Sequence, residues 1–254
     1  MANFDKVLGV NFYAGDLKAL LNITVGGGLI VVPSAPVLAD LPGDPAHRQA
    51  VEESDVAIVD SGFLVLLWLA TKGRRLERIS GLRFIRSLLE QEAFRARGAT
   101  FWVMPSHADA EINLGWLHRQ GMSVADEFAY VAPLYEKKGH LEDAKLLARI
   151  EATQPPFVII SLGGGVQERL GYYLRKNLSY RPAIICTGAA IAFLSGRQVR
   201  IPQWADRALL GWLLRCLAEP TKFIPRYWRA GRLAALVLKH GSESTVPAAV
   251  RPLK

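Results

Sequence analysis

Cysteine is scarce: Cys186 and Cys216 are the only two in 254 residues. Two thiols without C-x-x-C spacing give neither a disulfide framework nor a zinc site, and each reads as a small packing residue. Long apolar runs are missing too, although half of the residues are hydrophobic. The longest, Phe63 to Ala70, falls far short of the roughly 18 residues a spanning helix needs and reads as a buried helix segment. Met1 to Gly9 shows no basic stretch followed by an apolar one, so no signal peptide is expected. The five histidines, His47, His107, His118, His140 and His240, show no H-E-x-x-H or paired spacing, which removes the usual zinc-hydrolase arrangement. No D-x-D stands out for a divalent cation. Asp109-Ala110-Glu111 is the nearest approach and reads as an acid-rich helix start. There is no P-loop, no G-x-G-x-x-G with an acidic residue about 20 positions on, no internal repeat and no low-complexity tract.

Acidic residues are also short in one region. The chain carries a net charge of +8 and a pI near 9.7, which calls for an anionic partner: nucleic acid, anionic lipid or a diphosphate. Between Arg197 and Lys239 nine basic residues face only Asp206 and Glu219. The excess is therefore a local, C-terminal feature. From Lys222 to Lys239 arginines alternate with apolar and aromatic residues at helical intervals. A core helix rarely carries so many arginines. A basic amphipathic stretch with Tyr and Trp suits an anionic membrane surface, and no nucleic-acid-binding motif accompanies it.

Short apolar runs alternate with helical patterns in the manner of βαβ units. Strands are expected at Val7 to Phe12, Leu29 to Val32, Asp55 to Val59, Thr100 to Met104, Phe157 to Ser161 and Ala183 to Cys186, with a further one within Val124 to Ala132. Helices are expected near Asp16 to Leu21, with Asp16 as N-cap, and at Ala46 to Glu53, Leu82 to Arg95, Ala108 to Arg119 and Glu142 to Glu151, with others after Asp60-Ser61-Gly62 and Gly163-Gly164-Gly165. Pro33 and Pro36 should impose a loop before any helix. Strands apolar throughout and separated by helices indicate an α/β fold: a Rossmann-like, mostly parallel sheet with helices on both faces, plus a C-terminal basic helical appendage. The expected division is 1–196 as the α/β domain, 197–240 as the appendage and 241–254 as a loosely ordered tail. One domain with an appendage fits the length.

Ligands bind such sheets at the carboxyl ends of the strands. Asp60 ends one strand beside a small Ser-Gly turn, where a carboxylate either faces the crevice or caps the next helix. Gly163-Gly164-Gly165-Val166-Gln167-Glu168 is a strand-to-helix junction where backbone N–H groups could approach a phosphate, or where glycine simply permits a tight turn. Thr187-Gly188-Ala189 is a second small-residue junction.

The series from Pro182 to Tyr227 resembles the C-terminal half of the WecG/TagA/CpsF family of bacterial glycosyltransferases. That family reads G-A-x-F-D-F-x-A-G, R-x-P-x-W, L-E-W-x-x-R, E-P-x-R and R-Y. In the same order stand Gly188-Ala189, Phe193, Gly196, Arg200, Pro202, Trp204, Trp212, Arg215, Glu219-Pro220, Lys222 and Arg226-Tyr227. Gln167-Glu168 match the family's G-x-P-x-Q-E, with Gly165 in place of the proline, and Arg78-Ile79-Ser80-Gly81 resembles R-x-T-G. The sequence departs at Val32-Pro33-Ser34, where the family has T-x-N and only Ser34 supplies a hydroxyl. It departs again at Arg83 for an Asp, at Ile191-Ala192 for Phe-Asp, and at Gly211 for a Glu.

By that resemblance Asp60 is the general base. Ser34, Arg78, Gly163, Gly165, Gln167, Glu168, Thr187, Gly188, Arg200, Trp204, Arg215 and Arg226 are the substrate-binding candidates, and no metal or cofactor is called for. The activity implied is inverting transfer of a hexose or N-acetylhexosamine from a UDP-sugar to a polyprenyl-diphosphate-linked acceptor. It would serve exopolysaccharide or cell-surface glycan synthesis, on the inner face of the bacterial cytoplasmic membrane. The implied partners are the donor, the acceptor and the membrane surface, with homo-oligomerisation open and nucleic acid excluded. The departures leave two readings: an active enzyme with an altered sugar preference, or a catalytically impaired, membrane-associated binding subunit of the same pathway. A nicotinamide-dependent oxidoreductase, the other class with this alternation, lacks its glycine fingerprint.

Overall fold

The computed structural model describes residues 3–198, 214, 216–217 and 219–245. The chain opens with a hairpin of β1 (Phe4–Val7) and β2 (Val10–Tyr13), followed by α1 (Leu17–Val25), β3 (Gly28–Val31), α2 (Ala35–Ala39), α3 (Pro45–Glu52) and β4 (Val56–Ala57). Then come α4 (Gly62–Lys72), α5 (Gly81–Leu89), α6 (Glu92–Arg95), β5 (Thr100–Met104), α7 (His107–Arg119), β6 (Ala129–Val131) and α8 (Ala144–Thr153). β7 (Phe157–Ile160), α9 (Val166–Asn177), β8 (Ala183–Cys186), α10 (Ala190–Ser195) and α11 (Pro220–His240) complete the described elements. The eight strands form one sheet in the order β1-β2-β4-β3-β8-β7-β5-β6, parallel except for the β1–β2 pair. This is the expected mostly parallel α/β sheet with helices on both faces.

The central strands are buried on both sides, which is why they read as continuous apolar runs rather than alternating ones. Leu29, Val31, Val158, Ile160, Ile184 and Cys186 face a first core closed by Leu38 of α2, Val51 of α3, Trp68 of α4, Ile150 of α8, Leu174 of α9 and Leu233 of α11. Ile30, Val56, Trp102, Ile159 and Ile185 face a second core closed by Leu20 of α1, Phe84 of α5, Leu117 of α7 and Ile191 of α10. Each such side chain contributes about 1.5–3 kcal/mol on burial.

Three local expectations are corrected. Val7 to Phe12 is not one strand: Leu8 (φ 52°) and Gly9 (φ 85°) form a two-residue turn of the kind that joins twisted antiparallel strands. Leucine tolerates the left-handed conformation here because its side chain is fully buried and its N–H donates to Gly241 O at 2.9 Å. Pro36 does not delay a helix. It occupies the first turn of α2, where a missing N–H leaves no carbonyl unsatisfied. The run Leu82 to Arg95 breaks at Glu90-Gln91 into α5 and α6. The strand expected within Val124 to Ala132 is present as Ala129–Val131.

Two connections bring distant segments together. α4 packs in the first core and α5 in the second, so the segment between them passes round the β1 edge. Arg74 pairs with Asp5 of β1 at 2.6 Å, Leu76 enters the first core and Ile79 the second. This wrap brings residues 78–81 back to the end of β4. The second connection is α11, which lies on α2 and α4. Its carboxyl end is pinned at the β1–β2 turn, where Leu8 and Gly9 donate to Gly241 O and Ser242 O. Gly241 to Thr245, assigned from sequence to a loose tail, thus dock on the hairpin turn, with Ser244 Oγ bonded to Glu52.

Candidate functional site

Asp60 follows β4 at the carboxyl edge. Its Oδ1 accepts the Gly81 N–H at 3.0 Å, and its carbonyl accepts Arg78 Nε at 2.8 Å. Ser80 caps α5 through its hydroxyl to Arg83 N, so the carboxylate rests against a helix amino terminus, where negative charge is favoured. Oδ2 has no hydrogen-bond partner among the described residues. A side chain built on Gly81 would meet Val32 Cγ1 at 3.2 Å, Asp60 Oδ1 at 3.9 Å and Thr187 O at 4.0 Å. The ends of β3, β4 and β8 therefore converge on this one helix start. Of the sequence candidates, Asp60, Arg78 and Thr187 meet here, with Ser34 two residues past Val32.

The glycine junction after β7 closes the next side. Gly165 sits at φ 87°, a conformation the family's proline could not adopt. Gly164 lies against α2, where a β-carbon would fall 2.2 Å from Val37 Cγ2. Glu168 is fully buried. Its Oε2 accepts Gly165 N at 2.6 Å and its Oε1 accepts Gln167 Nε2 at 3.0 Å. Gln167 Oε1 in turn accepts Gly188 N at 2.7 Å. Gln167 and Glu168 thus lace the two glycine junctions together. The anionic position at the amino end of α9, which the sequence suggested for a ligand phosphate, is filled by the Glu168 carboxylate. What the loop offers a ligand is its outer backbone.

Arg169 is a participant that the sequence did not flag. Its guanidinium donates to Gly165 O at 2.9 Å, Gly139 O at 2.6 Å and Glu136 O at 2.7 Å, with Asp44 at 3.8 Å. Nothing in a lone arginine after Gln-Glu distinguishes a buried clamp from a solvated charge. His47 lies in the same layer, buried with Nε2 unpartnered among the described residues. Burial pushes its imidazole below the ordinary value, against the pull of Glu168 and Asp44. His107 is an exposed residue opening α7.

The arm that follows α10 is tied down at both of its described ends. Arg197 Nε pairs with Asp109 at 2.9 Å, and Ser195 Oγ donates to Asn113 Oδ1 at 2.6 Å, both on α7. Leu214 returns to pack on a cluster of Leu82 and Phe193. Arg200, Trp204 and Arg215 lie outside the described residues. Arg226 falls within α11. Among the described residues no three His, Cys, Asp or Glu side chains gather as a metal ion would require, and no helix is long and apolar enough to cross a membrane.

A parallel sheet whose carboxyl edge carries a carboxylate with one oxygen unpartnered among the described residues, opposite glycine junctions, has the layout in which open α/β sheets bind ligands. Residues 6–245 match the model of the glycosyl transferase WecG/TagA/CpsF family, and the chain belongs to that family. It is accordingly a glycosyltransferase-type protein of cell-surface glycan synthesis, with a sugar donor and an acceptor as its substrates. No curated protein matches the chain significantly.

Proposed function

We propose that the protein is an inverting, metal-independent glycosyltransferase. It would move a hexose or N-acetylhexosamine from a UDP-sugar to a polyprenyl-diphosphate-linked acceptor at the inner face of the bacterial cytoplasmic membrane. In this reading Asp60 Oδ2 takes the proton of the acceptor hydroxyl as its oxygen attacks the anomeric carbon. The bond from that carbon to the diphosphate breaks on the opposite face, and UDP leaves with the electron pair. A sugar alcohol needs such a base, since it is a weak nucleophile unaided. Arg200, Arg215 and Arg226, with Arg78, neutralise the departing diphosphate, an electrostatic task that guanidinium groups can perform. The outer backbone of the Gly163 and Gly188 junctions, Ser34 and Trp204 hold the donor, and Gln167 and Glu168 fix those junctions.

One observation carries the reading. Gly81, whose N–H holds the Asp60 carboxylate, is followed by Leu82, and Leu82 packs in the cluster that receives Leu214. Arg215 is the next residue in the chain. The turn of α5 that holds Asp60 thus also receives Leu214, the residue before Arg215.

Exposed groups on two neighbouring helices support the membrane surface as a partner. α11 buries Leu233 and Val237 and exposes Trp228, Arg232, Leu238 and Lys239; α4, beside it, exposes Phe63, Leu66 and Leu69. Apolar groups rimmed by lysine and arginine suit an anionic bilayer surface.

The test is a screen for UDP release over several UDP-sugars, with a polyprenyl-diphosphate-sugar acceptor in anionic liposomes. Acceptor-dependent release with one donor is the expected result. Liposome binding with no release from any donor would replace catalysis with the binding-subunit role.

A further inference from the structure

Three hydroxyls at the carboxyl edge are buried without a hydrogen-bond partner among the described residues: Ser34 Oγ, Ser161 Oγ and Thr187 Oγ1. Ser161 is 7% exposed and Thr187 8%. They directly follow Ile160 and Cys186, the last paired residues of β7 and β8, so they are cross-strand neighbours one step beyond the ladder. Side chains alternate along a strand. Ile159 and Ile185 face the second core, so Ser161 and Thr187 share that face. Val56 and Ile58 face it too, which puts Asp60 on the same side. The two hydroxyls therefore lie on the sheet face covered by α5 and α10, the same face as the carboxylate, and the Thr187 backbone carbonyl approaches the Gly81 turn that holds it.

A buried hydroxyl with no partner is a desolvation cost that folding does not recover. Alanine and valine would fill the same volumes without it. Such groups persist where a partner arrives later, and a ligand is the partner that comes and goes at a strand-end crevice. No lysine or arginine is hydrogen-bonded to either hydroxyl among the described residues, so this pair suits a neutral polar ring edge better than a phosphate.

We infer that Ser161 and Thr187, with Ser34 at the rim, form the polar floor of the donor site and hydrogen-bond the neutral part of the donor. That part is the imide edge of the base or the hydroxyls of the transferred sugar. The inference rests on the transferase reading above and adds to it a residue pair that sets donor specificity.

Ser161→Ala and Thr187→Val test it through two readouts that move in opposite directions. Each variant should melt at or above the wild-type temperature, because an unpartnered group is removed. Each should bind UDP-sugar about tenfold more weakly, as loss of one ligand hydrogen bond implies. Thr187→Ser, which keeps the hydroxyl, should bind as the wild type does. Calorimetry with UDP alone and with the UDP-sugar separates the two sources: equal weakening of both assigns the pair to the base, and weakening of the UDP-sugar alone assigns it to the sugar. A lower melting temperature with unchanged donor affinity would make the hydroxyls structural and overturn the assignment. If the wild type binds neither ligand and transfers nothing, the transferase reading fails, and this inference with it. If the wild type is active and Ser161→Ala and Thr187→Val keep its affinity, only this inference fails.

Discussion

Replacing Asp60 by asparagine isolates proton transfer from structure. The amide oxygen can still accept the Gly81 N–H that Oδ1 holds at 3.0 Å, so the α5 start and the wrap leading into it should stay in place. What is lost is a group able to take the acceptor's proton. A positioned general base contributes about 10²- to 10⁴-fold, or roughly 2.7–5.4 kcal/mol of barrier at 1.36 kcal/mol per decade. The loss to stability is limited to the carboxylate's interaction with the helix amino end, about 0.3–1 kcal/mol. For a chain of this size, about 1 kcal/mol moves the melting temperature by roughly 2–4 °C. Asp60→Ala differs because it also leaves Gly81 N without its acceptor, a further cost of about 1–2 kcal/mol. Initial rates of UDP release and thermal unfolding of both variants read these effects separately. The expected pattern is a kcat lower by at least a hundredfold in both, donor KM within about twofold of wild type for Asp60→Asn, and clear destabilisation only for Asp60→Ala. An Asp60→Asn enzyme within threefold of wild-type kcat would refute Asp60 as the base.

The remaining predictions concern the layer behind the site. Gly164→Ala forces a β-carbon to within 2.2 Å of Val37 Cγ2, so the junction must shift. Donor KM should rise about tenfold, by the weakening that a misplaced contact implies, and Val37→Ala in the same chain should recover most of it; a single variant with wild-type KM would show that the loop is not part of the donor site. His47 is held below its ordinary pKa by burial, with Glu168, Asp44 and Asp40 raising it and Arg169 lowering it. The folded protein therefore protonates this imidazole less readily than the unfolded chain, where it titrates near pH 6.5. Stability should then fall as pH drops from about 6.5 towards the folded-state value and be flat above it. The melting-temperature loss between pH 7 and pH 5.5 should shrink in His47→Gln, and an unchanged loss would assign it to other groups.

Much of this architecture is legible in the sequence because a doubly covered parallel sheet writes itself as short apolar runs. Thr100 to Met104 and Ala183 to Cys186 match their strands to the residue. The Gly163–Gly165 junction and the N-cap Asp16 were readable from local chemistry. The hairpin turn was not, because leucine at positive φ is stabilised by burial of its side chain and a bond to Gly241, both supplied from the far end of the chain. The same applies to the site. Asp60 is visible as a strand-end acid, but the helix start that receives it lies 21 residues on and arrives by a wrap round the sheet edge. The cap of α4 is Ser61 rather than Asp60, whose Oδ1 instead accepts the N–H at the start of α5. Arg169 and Ser161 were invisible for a related reason: their roles consist of partners, present or missing, that sequence spacing does not encode.

The family's missing residues acquire a physical meaning in this setting. Ile191, standing where the pattern has phenylalanine, is fully buried in the second core, and Ala192 beside it is buried as well. The packing of α10 on the sheet thus survives the change, while an acid is lost from the second of these positions. Arg83, in place of another acid, is exposed on α5 two residues from Gly81. Of the acids near the crevice, Glu168 is fully buried with both oxygens engaged by Gly165 N and Gln167 Nε2, and Asp109 is paired with Arg197 and Ser106. A fully buried carboxylate is out of reach of a substrate hydroxyl, and one held in an ion pair takes up a proton less readily. Asp60 Oδ2 has no hydrogen-bond partner among the described residues, so under the proposed mechanism the changes at positions 83 and 192 would leave proton transfer to this one side chain. Restoring an acid at either position should therefore leave Asp60→Asn inactive.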